Sequence, residues 1–154
     1  MILASDGSTT VLLEALVGEE LKLEVRDQET RPARTLEPRI RLLLDLTPEF
    51  SVLVRRSALC TPDGRDVSRN LVVARYRTHK LHAVFTSRTE PIGQGLMRLG
   101  LSRARRVVGT GVTDWDATVC AYKAYVVLDG HDPVAYIHER FNPSIVPCGQ
   151  EVRA

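Results

Sequence analysis

Lysine is scarce in this 154-residue chain, at 3 residues against 18 arginines, and the net charge at neutral pH is only +2. So small an excess does not imply a nucleic-acid partner, and the arginine bias reads as codon usage in a GC-rich genome before it reads as guanidinium chemistry. The 3 cysteines, Cys60, Cys120 and Cys148, are odd in number and form no C-x-x-C pair. That excludes a disulfide framework and leaves free thiols in a reducing compartment. No apolar run approaches the ~18–20 residues that cross a bilayer. The opening "MILASDG" has neither a basic segment nor a sustained apolar stretch, so no secretory leader is read there and the cytoplasm is expected. His79 and His82 in "HKLH" have no acidic or cysteine neighbour, and no metal site is expected. "GTGVTD" puts Asp114 where a dinucleotide fingerprint needs glycine, and "PIGQGLMRLG" lacks the Lys-Ser/Thr pair of a phosphate loop. No nucleophile triad has a recognisable local signature. Internal repeats and low-complexity segments are also missing.

What is present is an ordinary composition, 44% hydrophobic and 26% charged, enough for one domain across 1–154 with a full core. Ser8 or Thr9 can cap a short helix running to Val17, with Gly18 suited to the left-handed position after it. Leu21, Leu23 and Val25 alternate with charged residues as a half-buried strand, followed by a polar linker containing Pro32. "LEPRIRLLLDL" predicts a second short helix with Pro38 in its first turn. Phe50–Cys60 and Val67–Tyr76 read as a hairpin turning on Pro62-Asp63-Gly64. "HKLHAVFTS" and "PIGQGLMRL" read as two more short helices. Arg103–Val112, Thr118–Leu128 and Val134–Asn142 read as three strands, the last two joined at "DGHDP". These elements predict an α+β fold, one antiparallel six-stranded sheet with short helices packed on one face.

Two strands carry charge where a core is expected. In the last, Ala135, Ile137, Glu139 and Phe141 share a face, so a carboxylate sits in an otherwise apolar row. An ionised Glu there is costly unless it is paired or its pKa raised; the plainer reading is a strand end that reaches water. In "VLVRRSALC", alternation puts Arg56 with Val52, Val54, Ala58 and Cys60, and Arg55 with Leu53, Ser57 and Leu59. Periodicity leaves open which guanidinium faces a pocket. In "RARR" the same alternation sends Arg103 and Arg105 one way and Arg106 the other, on a strand expected to be solvated. Tyr122, Tyr125 and Trp115 read as core packing.

Four stretches together resemble the chorismate lyase (chorismate–pyruvate lyase) family: "LASDGSTTVLLEALVGEELKLEVRDQ", "VLVRRSALCTPDG", "TEPIGQGL" and the closing "AYKAYVVLDGHDPVAYIHERFNPSIV". The last is the most specific, because its hairpin turn, its Glu and the Phe two residues on agree in spacing. The resemblance implies that Arg55 binds a substrate carboxylate, with Arg56 the live alternative, and that Glu139 is the catalytic acid–base group. It implies flaps at Ile92 and Gly93 and near Thr9. The neutral Asn70 stands where some members carry a second arginine, and the family's opening helical segment is abbreviated.

On that resemblance the expected function is elimination of pyruvate from chorismate to give 4-hydroxybenzoate, a carbon–oxygen lyase. Aromatisation drives the reaction, so neither metal nor cofactor is needed. Arg55 would hold a carboxylate by charge-assisted hydrogen bonds worth ~1.5–3 kcal/mol, and Glu139, coupled to it, would move a proton. The expected partner is a small carboxylate, with neither nucleic acid nor membrane; the oligomeric state is left open. Two other readings stand beside this one. The first is an enzyme of specialised metabolism acting on another small carboxylate. The second is a non-catalytic small-anion-binding module like the effector-binding domains of some bacterial transcription regulators.

Overall fold

Alternating apolar residues and glycine-bearing turns build the sheet. In the computed structural model, which describes residues 9–75, 79–101 and 105–148, six strands form: β1 (Lys22–Pro32), β2 (Ser51–Cys60), β3 (Asp66–Ala74), β4 (Arg105–Trp115), β5 (Thr118–Asp129) and β6 (Asp132–Phe141). They make one antiparallel sheet in the order β1-β2-β3-β6-β5-β4. The β2–β3 turn closes through Gly64, at φ 89°, whose N–H donates to the Thr61 carbonyl at 2.9 Å. Gly130, at φ 64°, serves the β5–β6 turn; both are backbone conformations that glycine adopts without steric cost.

Four short helices accompany the sheet: α1 (Thr9–Val17), α2 (Pro38–Leu43), α3 (His79–Thr86) and α4 (Ile92–Arg98). Gly18, at φ 78°, ends α1 as expected, and Pro38 sits in the first turn of α2. The α+β class and the single six-stranded antiparallel sheet are as the sequence predicts. The one-face placement describes α1, α3 and α4. Leu81, Val84, Phe85 and Leu96 pack on Leu53, Val72, Tyr125 and Ile137, while Leu13 meets Leu59, Ala121 and Phe141. The second helix departs from it. Ile40 and Leu44 cover Val52, Val54, Val73 and Val126 on the opposite face, because "PRIRLL" is apolar on only one side and the β2 alternation is apolar on both.

Two expectations about strand length need correction. The polar stretch through Pro32 is strand, not linker: β1 lies at the sheet edge and pairs with β2 as far as Pro32↔Ser51, with a bulge between Val25 and Asp27. Edge strands tolerate polar residues and proline because one side of their backbone is free. β4 likewise continues to Trp115. The expected positions of Ser8, Tyr76 and Arg103 lie outside the described residues. No helix among the described residues is long and apolar enough to cross a membrane.

Candidate functional site

Consecutive residues of a strand point to opposite faces, so the Arg55–Arg56 pair is divided by the sheet. Arg55 is wholly buried on the face covered by α1, α3 and α4, whereas Arg56 is exposed on the other. Burial pulls the Arg55 guanidinium down to about 10, and the charge of Arg88 adds to the effect; it remains a cation at neutral pH. Its Nη1 donates to the carbonyls of Phe85 at 2.8 Å and Ser87 at 2.7 Å, at the end of α3. A cation suits that place, where helix carbonyls run out of partners. Nε and Nη2 of the same guanidinium are buried without any acceptor.

Arg55 also lines a small chamber of about 30 Å³ between the sheet, the start of α1 and the start of α4, room for about two water molecules. Asn70, Ile92, Gly93 and Glu139 line it with Arg55, and Thr10, Ser57 and Tyr125 complete its polar rim. Asn70 on β3 lies directly across from both Ser57 on β2 and Glu139 on β6, which fixes the three side by side on the inner face. The Asn70 Nδ2 donates weakly to Ser68 at 3.4 Å, and its Oδ1 is buried without a donor.

Glu139 is held from two sides. Thr9 Oγ1 donates to one carboxylate oxygen at 3.0 Å and the Tyr125 hydroxyl to the other at 3.2 Å. Burial raises its pKa; the Thr9 hydrogen bond, the charges of Arg105 and Lys123 and the Tyr125 hydrogen bond pull the other way. The cations facing Glu139 are thus Arg105 on β4 and Lys123 on β5, not Arg55 as the sequence suggested. Arg105 is also not on a solvated strand face: its guanidinium lies 5.0 Å from the centre of the Tyr125 ring, and the Lys123 ammonium 5.7 Å from it on the same inner side. Lys123 interrupts the apolar run of "VCAYKAYVVL" as Arg55 interrupts β2, so the same pattern search would have found it. Tyr125 was read as core, and its hydroxyl gives no signal in the sequence.

Thr9, Arg55, Asn70, Ile92, Gly93 and Glu139 therefore meet at one place. Arg56 does not. It faces an open trough of about 690 Å³ on the opposite side of the sheet, shared with Arg69, Arg140, Tyr122 and His138. Tyr122 stacks on His138 there at 4.8 Å, so of the three expected core aromatics Tyr122 lines a groove, while Trp115 and Tyr125 are buried.

No protein-family model matches the chain, and no curated protein matches it. Solved structures do. The effector domain of PhnF from Mycobacterium smegmatis is similar at TM-score 0.67 and 15% identity, over 91% of each chain. The fold is the one that effector domain has. The ligand-binding domain of a putative GntR-family transcriptional regulator from Bordetella bronchiseptica matches at TM-score 0.57 and 10% identity, over 79% of this chain and 82% of that one. A possible transcriptional regulator from Bacillus subtilis, YydK, matches at 0.57 and 11%, over 80% of this chain and 59% of that one. Against the longer PhnF structure, the chain spans 66% of its partner.

These likenesses overturn the lyase expectation and, with it, the assignment of an enzyme making 4-hydroxybenzoate and pyruvate in specialised metabolism. The structures matched are described as regulator domains, not lyases. The physical reason for the misreading is plain. An arginine and a glutamate on the inner face of an antiparallel sheet enclose a small anion whether or not a bond is then broken.

Proposed function

We propose that the chain is a non-catalytic sensor domain, a single unit over its whole length, that binds one small anion between the sheet and the starts of α1 and α4. The observation that carries this reading is Arg55, a wholly buried guanidinium with two donors unused, in the lining of a chamber. A buried charge without a counter-charge is costly, and a ligand carboxylate or phosphate accepting from Nε and Nη2 together would remove that cost by fork geometry. The likeness to regulator effector domains supports the reading at the level of fold. Glu139 then orients the ligand and ties α1 to the sheet through Thr9.

Isothermal titration and thermal unfolding against a panel of small carboxylates and inorganic phosphate test it. At least one anion is expected to bind and to raise the unfolding midpoint in wild type but not in Arg55→Ala. An Arg55→Ala protein that responds to every anion as wild type does would sink the proposal. Incubation with chorismate is expected to release no pyruvate.

A further inference from the structure

The two edges of the sheet are built differently. In β1, Glu24, Arg26, Asp27, Glu29 and Arg31 put a charge at almost every second step, a bulge interrupts the register, and Pro32 ends the strand. Charge, bulge and proline each discourage a further strand from adding there. β4, at the other edge, carries neither charge nor proline over residues 107–113. Among the described residues only β5 pairs with it, so alternate N–H and C=O groups along its outer side take no part in the ladder. The Val108 carbonyl accepts from Arg39 at 2.6 Å and the Asp114 carbonyl from Arg140 at 3.2 Å. Residues 109–113 are the stretch between them.

The side chains along this edge form a self-complementary row. Val107 and Val112, across from Tyr125 and Ala121, are 44% and 46% exposed, and Val119, across from Asp114, is 47% exposed. Thr110, across from Lys123, is exposed on the same side. The bulge between Val107 and Gly109 supplies the extra residue that keeps Val107, Thr110 and Val112 on one side. The row therefore reads alike in both directions from Thr110. Laid antiparallel on a second copy with Thr110 on the two-fold axis, each Val107 meets the other copy's Val112, and Thr110 meets its own mate. Such β-branched and Thr–Thr pairs are the favourable ones across strands. On the other side Gly109 falls beside the second copy's Gly111, where neither has a side chain to obstruct the approach. The charges fit the same direction. Arg106 is exposed at the start of β4 and Asp114 at its end, so antiparallel pairing brings each cation toward the other copy's carboxylate, whereas parallel pairing would set like beside like.

We infer that β4 is a dimerisation edge, to which a second copy of this chain adds its own β4 antiparallel about a two-fold axis at Thr110, continuing one sheet through both copies. The assembly closes at two, because each copy uses up its β4 edge and the edges that remain are the charged β1 strands.

Sedimentation equilibrium of the full chain is expected to show a dimer at micromolar concentration. Val112→Lys places a charge on the edge and should weaken association ~10-fold or more. Leu42→Lys, on α2 and 81% exposed, should leave it unchanged. Under oxidised glutathione, Thr110→Cys should link two copies, since residues directly opposed across strands have Cα atoms ~4.5–5.5 Å apart, within disulfide reach. Wild type, with Cys60, Cys120 and Cys148, sets the background, and the cross-link keeps the test decisive if Val112→Lys fails to fold. A chain that stays monomeric, a dimer that a folded Val112→Lys leaves intact, or a dimer that Thr110→Cys does not link would each overturn the inference. Slow amide exchange along β4 in a monomer would overturn it too, and would assign the edge to another segment of the same chain. None of these substitutions lines the chamber, so the sensor reading stands or falls separately.

Discussion

Arg55 is satisfied at one nitrogen and open at two, and that division sets the balance between stability and binding at this residue. In Arg55→Met, two unpaired buried donors disappear, but the carbonyls of Phe85 and Ser87 lose their donor. The two effects are of similar size, about 1–3 kcal/mol each, so the ligand-free variant should unfold within about 1 kcal/mol of wild type in denaturant. Anions should no longer shift its midpoint. A loss of several kcal/mol without ligand would mean that the arginine is a structural brace.

Glu139 leads to a prediction about pH. Its pKa is raised in the folded state, mainly by burial, so the folded chain keeps that proton at a pH where the unfolded chain has released it. The associated stability is complete below the ordinary glutamate value of ~4.3 and is lost as pH rises through the higher folded value. Glu139→Gln has no proton to lose. Relative to wild type it should gain stability as pH rises from about 4 until the folded value is passed, and a difference that stays flat between pH 4 and 7 would refute the burial argument.

At the scale of elements, the start of β3 is fixed by charge. Asp66 accepts from Arg26 Nη1 at 2.7 Å and Nη2 at 2.6 Å, and from Arg69 Nε at 2.8 Å. These arginines hold its carboxyl well below the usual carboxylate range, the Arg26 hydrogen bonds contributing most. The depressed pKa means stability that is present above the ordinary aspartate value of ~3.9 and lost as pH falls through the folded value. Asp66→Asn should cost about 1–2 kcal/mol at pH 7, a figure already discounted for the partial exposure of Arg26. The deficit should shrink as the pH drops below ~4, where unfolded wild type takes up a proton on Asp66 that the folded protein does not. Denaturant titrations at pH 7 and pH 3 measure both.

The element that closes the chamber is held by close packing. A Cβ on Gly95 of α4 would stand 2.8 Å from both Val84 Cγ1 and Glu90 Oε1. The branched Val84 side chain of α3 is stiff at χ1 and cannot swing clear. Gly95→Ala should therefore push α4 from α3, cost ~1–3 kcal/mol as overpacking does, and weaken anion binding by displacing Ile92 and Gly93. Unchanged affinity with lowered stability would show that the start of α4 is no part of the site.

Most of these elements were legible because their signals are local: alternation at the start of β1 and in β6, glycine after α1, Pro-Asp-Gly between β2 and β3. The extension of β1 was not, since an edge strand needs no apolar face and "DQETRP" offers none. The placement of α2 was not either, since which sheet face a short helix covers depends on the whole layer. For the site, Arg55 and Glu139 stood out as charges in apolar rows, and the structure brings both to one chamber. Strand pairing sets Asn70 and Lys123, not Arg55, directly across from Glu139, a neighbourhood that no local pattern in the sequence shows. Whether chemistry follows binding was invisible at every residue, for enclosing an anion and transforming it begin with the same side chains.

Over the whole molecule the sheet is a plate with a cover of short helices on one side. β2, β3, β6 and β5 lie inside it, each paired on both edges, and carry most of the buried valine and alanine. By contrast α1 and α4 are 9 and 7 residues long, too short to be stable without tertiary support. Among the described residues, the cover is held at the chamber by the Thr9–Glu139 hydrogen bond and the packing of α4 on α3. A ligand seated on Arg55 touches plate and cover at once, so it should slow the opening of α1 and α4 far more than that of the plate. Hydrogen exchange is expected to rank the amides of β3 and β6 slowest and those of α1 and α4 fastest in the free protein. Adding a bound anion should then protect α1 and α4 selectively, by a factor that follows its concentration over its dissociation constant. Thr9→Val removes the hydrogen bond while keeping the bulk, and should abolish the added protection in α1 but leave that in α4. Uniform protection across plate and cover would mean that the anion stabilises only against global unfolding, and that its presence is not passed to the first helix.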